Sequence, residues 1–161
     1  MKPSLRFRSI TSDDENFLYR LYASTRQEEL AQTSWTEAEK EIFLKQQFSA
    51  QHKFYMKQFN RAKFDVVLKN SKPIGRLYVD RREDEIRLID IALMPEFRNM
   101  GIGTSLLNDL LDEARKVNKP LRIHVEKYNP ALQLYQRLNF KEIKDTGVYY
   151  LMEWTPERKE K

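Results

Sequence analysis

Four glycines serve a chain of 161 residues, and two of them fall within Arg98-Asn99-Met100-Gly101-Ile102-Gly103. The segment follows an apolar run stopped by Pro95 and precedes a helical stripe of Leu106, Leu107, Leu110, Leu111, Ala114 and Val117. At a helix start the first backbone N–H groups lack intrahelical partners, and the positive end of the dipole lies there. Glycine lets an anion approach that backbone closely, so a pyrophosphate is the ligand such a loop suits. A Walker-type loop needs Gly-Lys-Ser/Thr, but Gly103 is followed by Thr104. The dinucleotide fingerprint needs a third glycine, and Leu106 stands in its place.

Composition narrows the remaining chemistry. With no cysteine, the chain has no disulfides, thiol nucleophiles or cysteine–zinc sites. Two histidines, His52 and His124, do not make a histidine-rich metal centre, and no metal is expected. The length suits one domain, expected over residues 1–155, with a frayed charged tail at 156–161. No run approaches the roughly 18 apolar residues of a spanning helix. The first residues, Met1-Lys2-Pro3-Ser4-Leu5-Arg6, lack an apolar signal region, so a cytoplasmic location is expected. Twenty-nine Lys and Arg against 24 Asp and Glu give a net charge of +5 without a long block of one sign. A mixed charged surface accounts for that balance better than a nucleic-acid surface does.

The elements that must position the loop alternate between strand and helix. Leu5–Ile10 has strand period. Ser12 and Glu15 have capping-box spacing ahead of Phe17, Leu18, Leu21 and Tyr22, and the polar residues 24–34 read as a flexible stretch. Thr36 and Glu39 form a second capping box. The long helix behind it carries Ala38, Ile42, Phe48, His52, Tyr55 or Met56, and Phe59 at helical spacing, and ends near Asn60. Strands are expected at 64–68 and 74–79 around the turn Asn70-Ser71-Lys72-Pro73. Residues 81–85 read as a solvated loop.

In Ile86–Leu93 the apolar phase slips: Ile86 and Leu88 are even, whereas Ile89, Ile91 and Leu93 are odd. Either a β-bulge or a strand buried on both faces produces that pattern. Gly103 opens the next helix, which ends at Asn118-Lys119-Pro120. Leu121–Val125 alternates, placing Arg122, His124 and Glu126 on one face. Asn129 caps a short helix with Pro130 at its first position, and Ala131, Leu134, Tyr135 and Leu138 line one side of it. Strands at about 140–145 and 148–154 close the chain. The tight turns between the middle strands indicate an α/β protein of the α+β, mixed-sheet kind.

The loop Arg98-x-x-Gly101-x-Gly103 fits the pattern Arg/Gln-x-x-Gly-x-Gly/Ala. Together with Asn129-Pro130-Ala131-x-x-Leu134-Tyr135 and Leu138-Asn139-Phe140, it resembles the GCN5-related N-acetyltransferase (GNAT) superfamily. The resemblance runs from Leu5 to Trp154 in element order and is most specific over Leu88–Phe140. It implies an acyl-CoA N-acyltransferase fold with four helices and central strands splayed around an acyl-CoA cleft. Acetyl-CoA as co-substrate would lie where the strand ending at Leu93 leaves the strand at Leu121–Val125. Backbone groups around Leu93 would pair with the pantetheine amides. Arg98, Asn99, Met100, Gly101, Ile102, Gly103 and Thr104 would cradle the pyrophosphate, and Asn129 would reach the pantetheine arm. Tyr135 would protonate the departing thiolate.

The chain departs from that family pattern in two ways. Asn139-Phe140 replaces the usual Gly-Phe, and asparagine tolerates the left-handed conformation needed there. The usual glutamate base is absent: the central strand offers Ile89 beside Asp90, and the position five residues before Asn129 is His124. His124 has an ordinary pKa near 6.5, suited to taking a proton from an ammonium. Asp90 could be base, amine anchor or bulge hydrogen-bonder.

The expected acceptor is a primary amine on a small molecule or peptide. Glu28, Glu29, Asp90 and Glu126 would suit a cationic one, such as a polyamine, an aminoglycoside or a lysine side chain. The basic surface would equally suit an acidic peptide. A homodimer is compatible with the resemblance. The competing readings are a non-catalytic acyl-CoA-binding or protein-interaction module, and a nucleic-acid-binding domain using the aromatic-rich helix 36–59.

Overall fold

The computed structural model describes residues 4–157. Residues 158–161 of the expected tail lie outside them. Among the described residues the chain runs through β1 (Leu5–Ser9), a 3-10 turn (Ser12–Asp14), α1 (Glu15–Ala31), α2 (Glu37–Gln58) and β2 (Lys63–Lys69). It continues through β3 (Lys72–Arg81), β4 (Ile86–Leu93), a second 3-10 turn (Pro95–Phe97), α3 (Ile102–Val117) and β5 (Leu121–Glu126). It closes with α4 (Leu132–Arg137), β6 (Lys141–Asp145) and β7 (Tyr149–Trp154). The seven strands form one sheet in the order β1-β2-β3-β4-β5-β7-β6. Only the central pair, β4 and β5, is parallel.

Each face of the sheet has its own apolar layer. On one face, α3 buries Leu106, Leu107, Leu110, Leu111 and Ala114 against Leu77, Val79, Ile86, Leu88, Leu121 and Ile123. Tyr135 of α4 and Phe140 join the same cluster. On the other face Leu18 and Tyr22 of α1 pack with Phe48 of α2. Tyr55 of α2 meets Tyr78 of β3 edge-on, with ring centroids 5.9 Å apart.

The phase slip in β4 is a bulge. Tyr78 pairs with Asp90 and Val79 with Leu88, so Ile89 is the extra residue. That single insertion explains the odd and even apolar sets. Ile86 and Leu88 before it, and Ile91 and Leu93 after it, all pack in the α3 layer. Asp90 is thereby turned toward α2, where Tyr55 donates to it. At the β2–β3 turn, Asn70 (φ 51°) and Ser71 (φ 66°) take the paired left-handed conformations of a type I′ hairpin. Asn139 has φ 71°, as the replacement of glycine there requires.

Several sequence expectations are corrected. Residues 24–31 are not flexible but continue α1. Leu30 is buried there, Ser24 and Thr25 donate to the carbonyls of Leu21 and Tyr22, and the polarity belongs to a solvated helix face. The capping box ahead of α1 is formed by Thr11 and Asp14 on the 3-10 turn, not by Ser12 and Glu15: the Asp14 carboxylate accepts from the Thr11 backbone N–H while Arg8 grips it with two bonds. The Thr36–Glu39 capping box forms as expected.

On α2 only Phe48 is fully buried, and Ile42 is 60% exposed, because α2 rests on α1 and β3 at a few points along its 22 residues. Val117 is exposed at the last turn of α3. The loop at 81–85 is not wholly solvated, since Glu85 is buried and accepts from Arg82, Arg87 and Arg122. Gly101 rather than Gly103 begins α3, with φ 81° at its N-cap.

Candidate active site

The central strands part beside the bulge. β4 and β5 pair only from Ile86–Leu88 to Leu121–Ile123, whereas β5 remains paired with β7 as far as Glu126 and Tyr149. A bulge bends its strand and increases the local twist, which takes β4 out of register with its parallel neighbour. Beyond Leu88, therefore, two backbone edges face each other without a ladder between them. Such a seam of two unpaired edges has the hydrogen-bonding capacity to take an extended chain carrying amides, as an added strand would.

One end of that seam meets the start of α3. Asn99 (φ 60°) and Gly101 (φ 81°) bend the backbone, and Ser105 is the first residue to bond back, to the carbonyl of Gly101. The N–H groups of Ile102, Gly103 and Thr104 are thus the unspent donors of the first turn. No acidic side chain lies in that turn to neutralise them. A Cβ at Gly101 or Gly103 would meet no neighbour closer than 4.0 Å, so the two glycines keep this surface open.

Arg98 does not point at this nest. Its Nε donates to the carbonyl of Leu93 and its Nη2 to Ser24 Oγ of α1, both at 2.9 Å. It thereby occupies the Leu93 carbonyl expected to receive a pantetheine amide. Asn99 and Met100 are exposed on the loop.

Tyr135 of α4 packs within the apolar layer on the α3 face, close enough to feel the charge of Asp90. It is 3% exposed, stands edge-on to Phe140 at 5.5 Å, and accepts no side-chain hydrogen bond among the described residues. Burial, reinforced by the negative charge of Asp90, pushes its phenol well above the usual tyrosine range, so it stays protonated. Asn129 lies at the joint between β5 and α4. Its Oδ1 accepts from the Ala131 N–H at 2.9 Å, so it caps the turn ahead of α4, and the helix begins two residues after Pro130.

Asp90 approaches from the opposite face. Its Oδ2 accepts from Arg76 Nη2 at 2.7 Å and from Tyr55 Oη at 3.0 Å. Arg76 Nη2 also donates to Gln51 Oε1. His124 shares this face of the sheet. It is exposed, its Nδ1 lies 3.4 Å from Arg87 Nη1, and Tyr149 stands edge-on to it. Desolvation and the positive charge of Arg87 lower its pKa, leaving it neutral at neutral pH. Farther along β5, Glu126 accepts from Arg26 of α1, which also donates to Glu29. Glu28 is exposed on α1.

The structure therefore brings the charge of Asp90 to bear on Tyr135, whereas the charged groups that act on His124 are Arg87, Glu85 and Lys144; Asn129 lies beside α4. Sequence reasoning missed Arg76, Gln51 and the Tyr55–Asp90 bond. An arginine within the apolar run Ile74-Gly75-Arg76-Leu77-Tyr78-Val79 was the available signal, since a buried arginine demands a carboxylate partner. Two surface hollows lie elsewhere, about 300 Å³ beside Trp35 and Phe43 and about 170 Å³ between β2 and α3. A strand-shaped seam is narrow by nature, and its chemistry rather than its volume distinguishes it. Among the described residues no helix is long and apolar enough to cross a membrane.

Comparison with known proteins gives the same architecture. An N-alpha-acetyltransferase from Sulfurisphaera tokodaii is 33% identical over 66 residues, covering 39% of this chain and 40% of that protein. A [ribosomal protein bS18]-alanine N-acetyltransferase from Haemophilus influenzae is 28% identical over 85 residues, covering 52% of this chain and 58% of that protein. The matched stretches thus span about two fifths to three fifths of these curated relatives. Among solved structures, the PaiA N-acetyltransferase of Thermoplasma acidophilum, in complex with coenzyme A, superposes with a TM-score of 0.68 at 20% identity. That match covers 94% of this chain and 99% of the other, and it establishes a shared fold. The acetyltransferase (GNAT) family profile matches residues 18–140, and the chain belongs to that family.

Proposed function

We propose that the protein is an acetyl-CoA-dependent N-acetyltransferase acting on a primary amine by direct attack on the thioester. The observation that carries this reading is the seam between β4 and β5, opened by the bulge at Ile89 and ending at the unspent N–H groups of α3. Those groups fit a pyrophosphate, and the seam's backbone edges fit the pantetheine amides, with Asn129 beside them. For the loop to serve fully, Arg98 swings from Leu93 and Ser24 toward the phosphates.

In this reading His124 takes a proton from the acceptor ammonium, directly or through water. The free amine nitrogen forms a bond to the thioester carbonyl carbon, the carbon–sulfur bond breaks, and Tyr135 gives its proton to the departing thiolate. The second proton lost by nitrogen restores Tyr135 through solvent. Positioning of the two reactants supplies the largest part of the acceleration.

The depressed pKa of His124 favours one acceptor class. A weak base suits an α-ammonium, with a pKa of about 8, better than a lysine, at about 10.4. Relatives named N-alpha-acetyltransferase, from three archaea, support the N-terminal amine of a polypeptide. Polyamines and lysine side chains are the controls. A cytoplasmic location accords with such an acceptor.

Two measurements test the proposal. Saturating acetyl-CoA at about 100 times its dissociation constant is expected to add ~2.7 kcal/mol, a rise in Tm of roughly 5–10 °C that ATP does not reproduce. Release of the coenzyme thiol in the presence of short peptides is then followed directly, because the enzyme has no cysteine of its own. Binding of the coenzyme without turnover on any amine would instead favour the non-catalytic module.

A further inference from the structure

Arg76 is 3% exposed in the middle of the sheet, and a guanidinium taken so far from water is costly unless it is paired. Its pairing is one-sided. Nη2 serves both Asp90 and Gln51, whereas Nε is buried without a hydrogen-bond partner among the described residues. The plane of the group lies against Tyr78, 5.1 Å from the ring centroid, and Tyr55 closes the other side by donating to Asp90. A core built for stability alone would fill this site with apolar side chains, as β3 does on its other face with Leu77 and Val79.

All the restraint falls on one oxygen of Asp90. Oδ2 receives both Arg76 and Tyr55, while Oδ1 has no hydrogen bond among the described residues, on a side chain that is 16% exposed. Asp90 also follows the bulge directly, so whatever fixes its side chain fixes the backbone where the strands part. We propose that Arg76 is a positioning residue: it locks Asp90 through Oδ2 against β3 and α2, and so presents Oδ1 to the ammonium of the acceptor. The inference rests on the N-acetyltransferase reading and assigns the acceptor's recognition to a pair that spans β3 and β4. Asp90, ion-paired on one side, works as an anchor for the amine, and proton removal falls to His124.

The test compares wild type with Arg76→Met, Arg76→Lys, Asp90→Asn and Tyr55→Phe. Each variant is first checked for a rise in Tm with coenzyme A. The expected result is retained coenzyme binding with KM for the amine raised ~10-fold or more in Arg76→Met and Asp90→Asn. Arg76→Lys is expected to recover part of that loss, and Arg76→Met/Asp90→Asn to be no worse than Asp90→Asn alone.

Should Arg76→Met not fold, Tyr55→Phe and Arg76→Lys decide the matter, because each leaves the buried charge in place and loosens Oδ2. A KM within two-fold of wild type in every folded variant overturns the inference while leaving the N-acetyltransferase reading intact. Absence of turnover in the wild type overturns both.

Discussion

Arg98 of the glycine loop and Ser24 of α1, 74 residues apart in sequence, are joined by a 2.9 Å hydrogen bond. The same guanidinium holds the carbonyl of Leu93, so one exposed side chain ties the end of β4, the loop and α1 together. In the proposed reading, coenzyme binding exchanges these two bonds for contacts to phosphate. Arg98→Ala is expected to weaken acetyl-CoA about 10-fold, the worth of a charge-assisted contact. Ser24→Ala is expected to leave affinity unchanged or slightly tighter, because it frees Arg98. Calorimetric titration of both variants is decisive: equal weakening would mean that Arg98 acts by holding α1, not by holding phosphate.

In the proposed mechanism, Tyr135 and His124 set the pH dependence. Tyr135 keeps its proton far above its ordinary pKa of 10.0, so no alkaline loss of turnover is expected from it through pH 10. His124 must be neutral to act as base, and its pKa is lowered, so activity falls only as pH drops below the ordinary histidine value of 6.5. The charged group that acts on Tyr135 is Asp90, and those that act on His124 are Arg87, Glu85 and Lys144. Tyr135→Phe is expected to lower kcat roughly 10²-fold at unchanged coenzyme affinity. His124→Ala is expected to abolish the acid limb of the kcat/KM profile. A profile unchanged in His124→Ala would assign the base elsewhere.

Gly75 keeps β3 close to β4 at the seam. A Cβ there would run into the carbonyl oxygen of Ala92 and, at 2.8 Å, into Leu93 Cδ2. Gly75→Ala is therefore expected to cost ~1–3 kcal/mol in urea unfolding. It should also weaken coenzyme binding, because the displaced residues border the seam. A loss of stability with full affinity would show that the seam tolerates the shift.

Arg8 grips Asp14 through two bonds of 2.8 Å and lowers its pKa to about 2, with the Thr11 backbone N–H adding to the effect. A depressed carboxylate contributes stability above its unfolded pKa and loses it as pH falls through the folded value. Stability is thus expected to decline between about pH 4 and pH 2, by ~1–2 kcal/mol after discounting for the exposed half of Arg8. In Asp14→Asn that part of the acid decline should vanish, while the starting stability is lower.

How much of this was legible in the sequence depended on how locally each feature is encoded. The bulge was legible as one of two readings. One extra residue shifts every later side chain to the opposite face, and Ile86 to Leu93 record that shift, but a strand buried on both faces gives the same pattern until the register with β3 is known. The glycine loop was legible because Gly101 needs its positive φ whatever surrounds it. Asn139 was legible for the same reason. The Arg76–Asp90–Tyr55 network was not, since its members come from three elements and only the sheet register brings them together. The length of α1 was missed because its second half turns a polar face outward and shows only Leu30 to the core. Glu85 was misread because a run of mixed charge looks solvated until two neighbouring strands supply the arginines that enclose it.

The open seam means that this protein carries sheet edges at its centre. Exposed edges are templates for pairing with other chains, and sheets ordinarily blunt them at their margins with charge, bulges or brevity. Here the edge of β4 that faces β5, from the bulge to Leu93, lies within the sheet rather than at its margin, with α1 packed against the strand. The same lack of cross-strand bonds that makes room for a ligand leaves the two halves of the sheet joined by three residue pairs and by α3 beneath them. A ligand laid into the gap acts as a missing strand. Its binding should slow hydrogen exchange across β4 and β5, well beyond the atoms it touches.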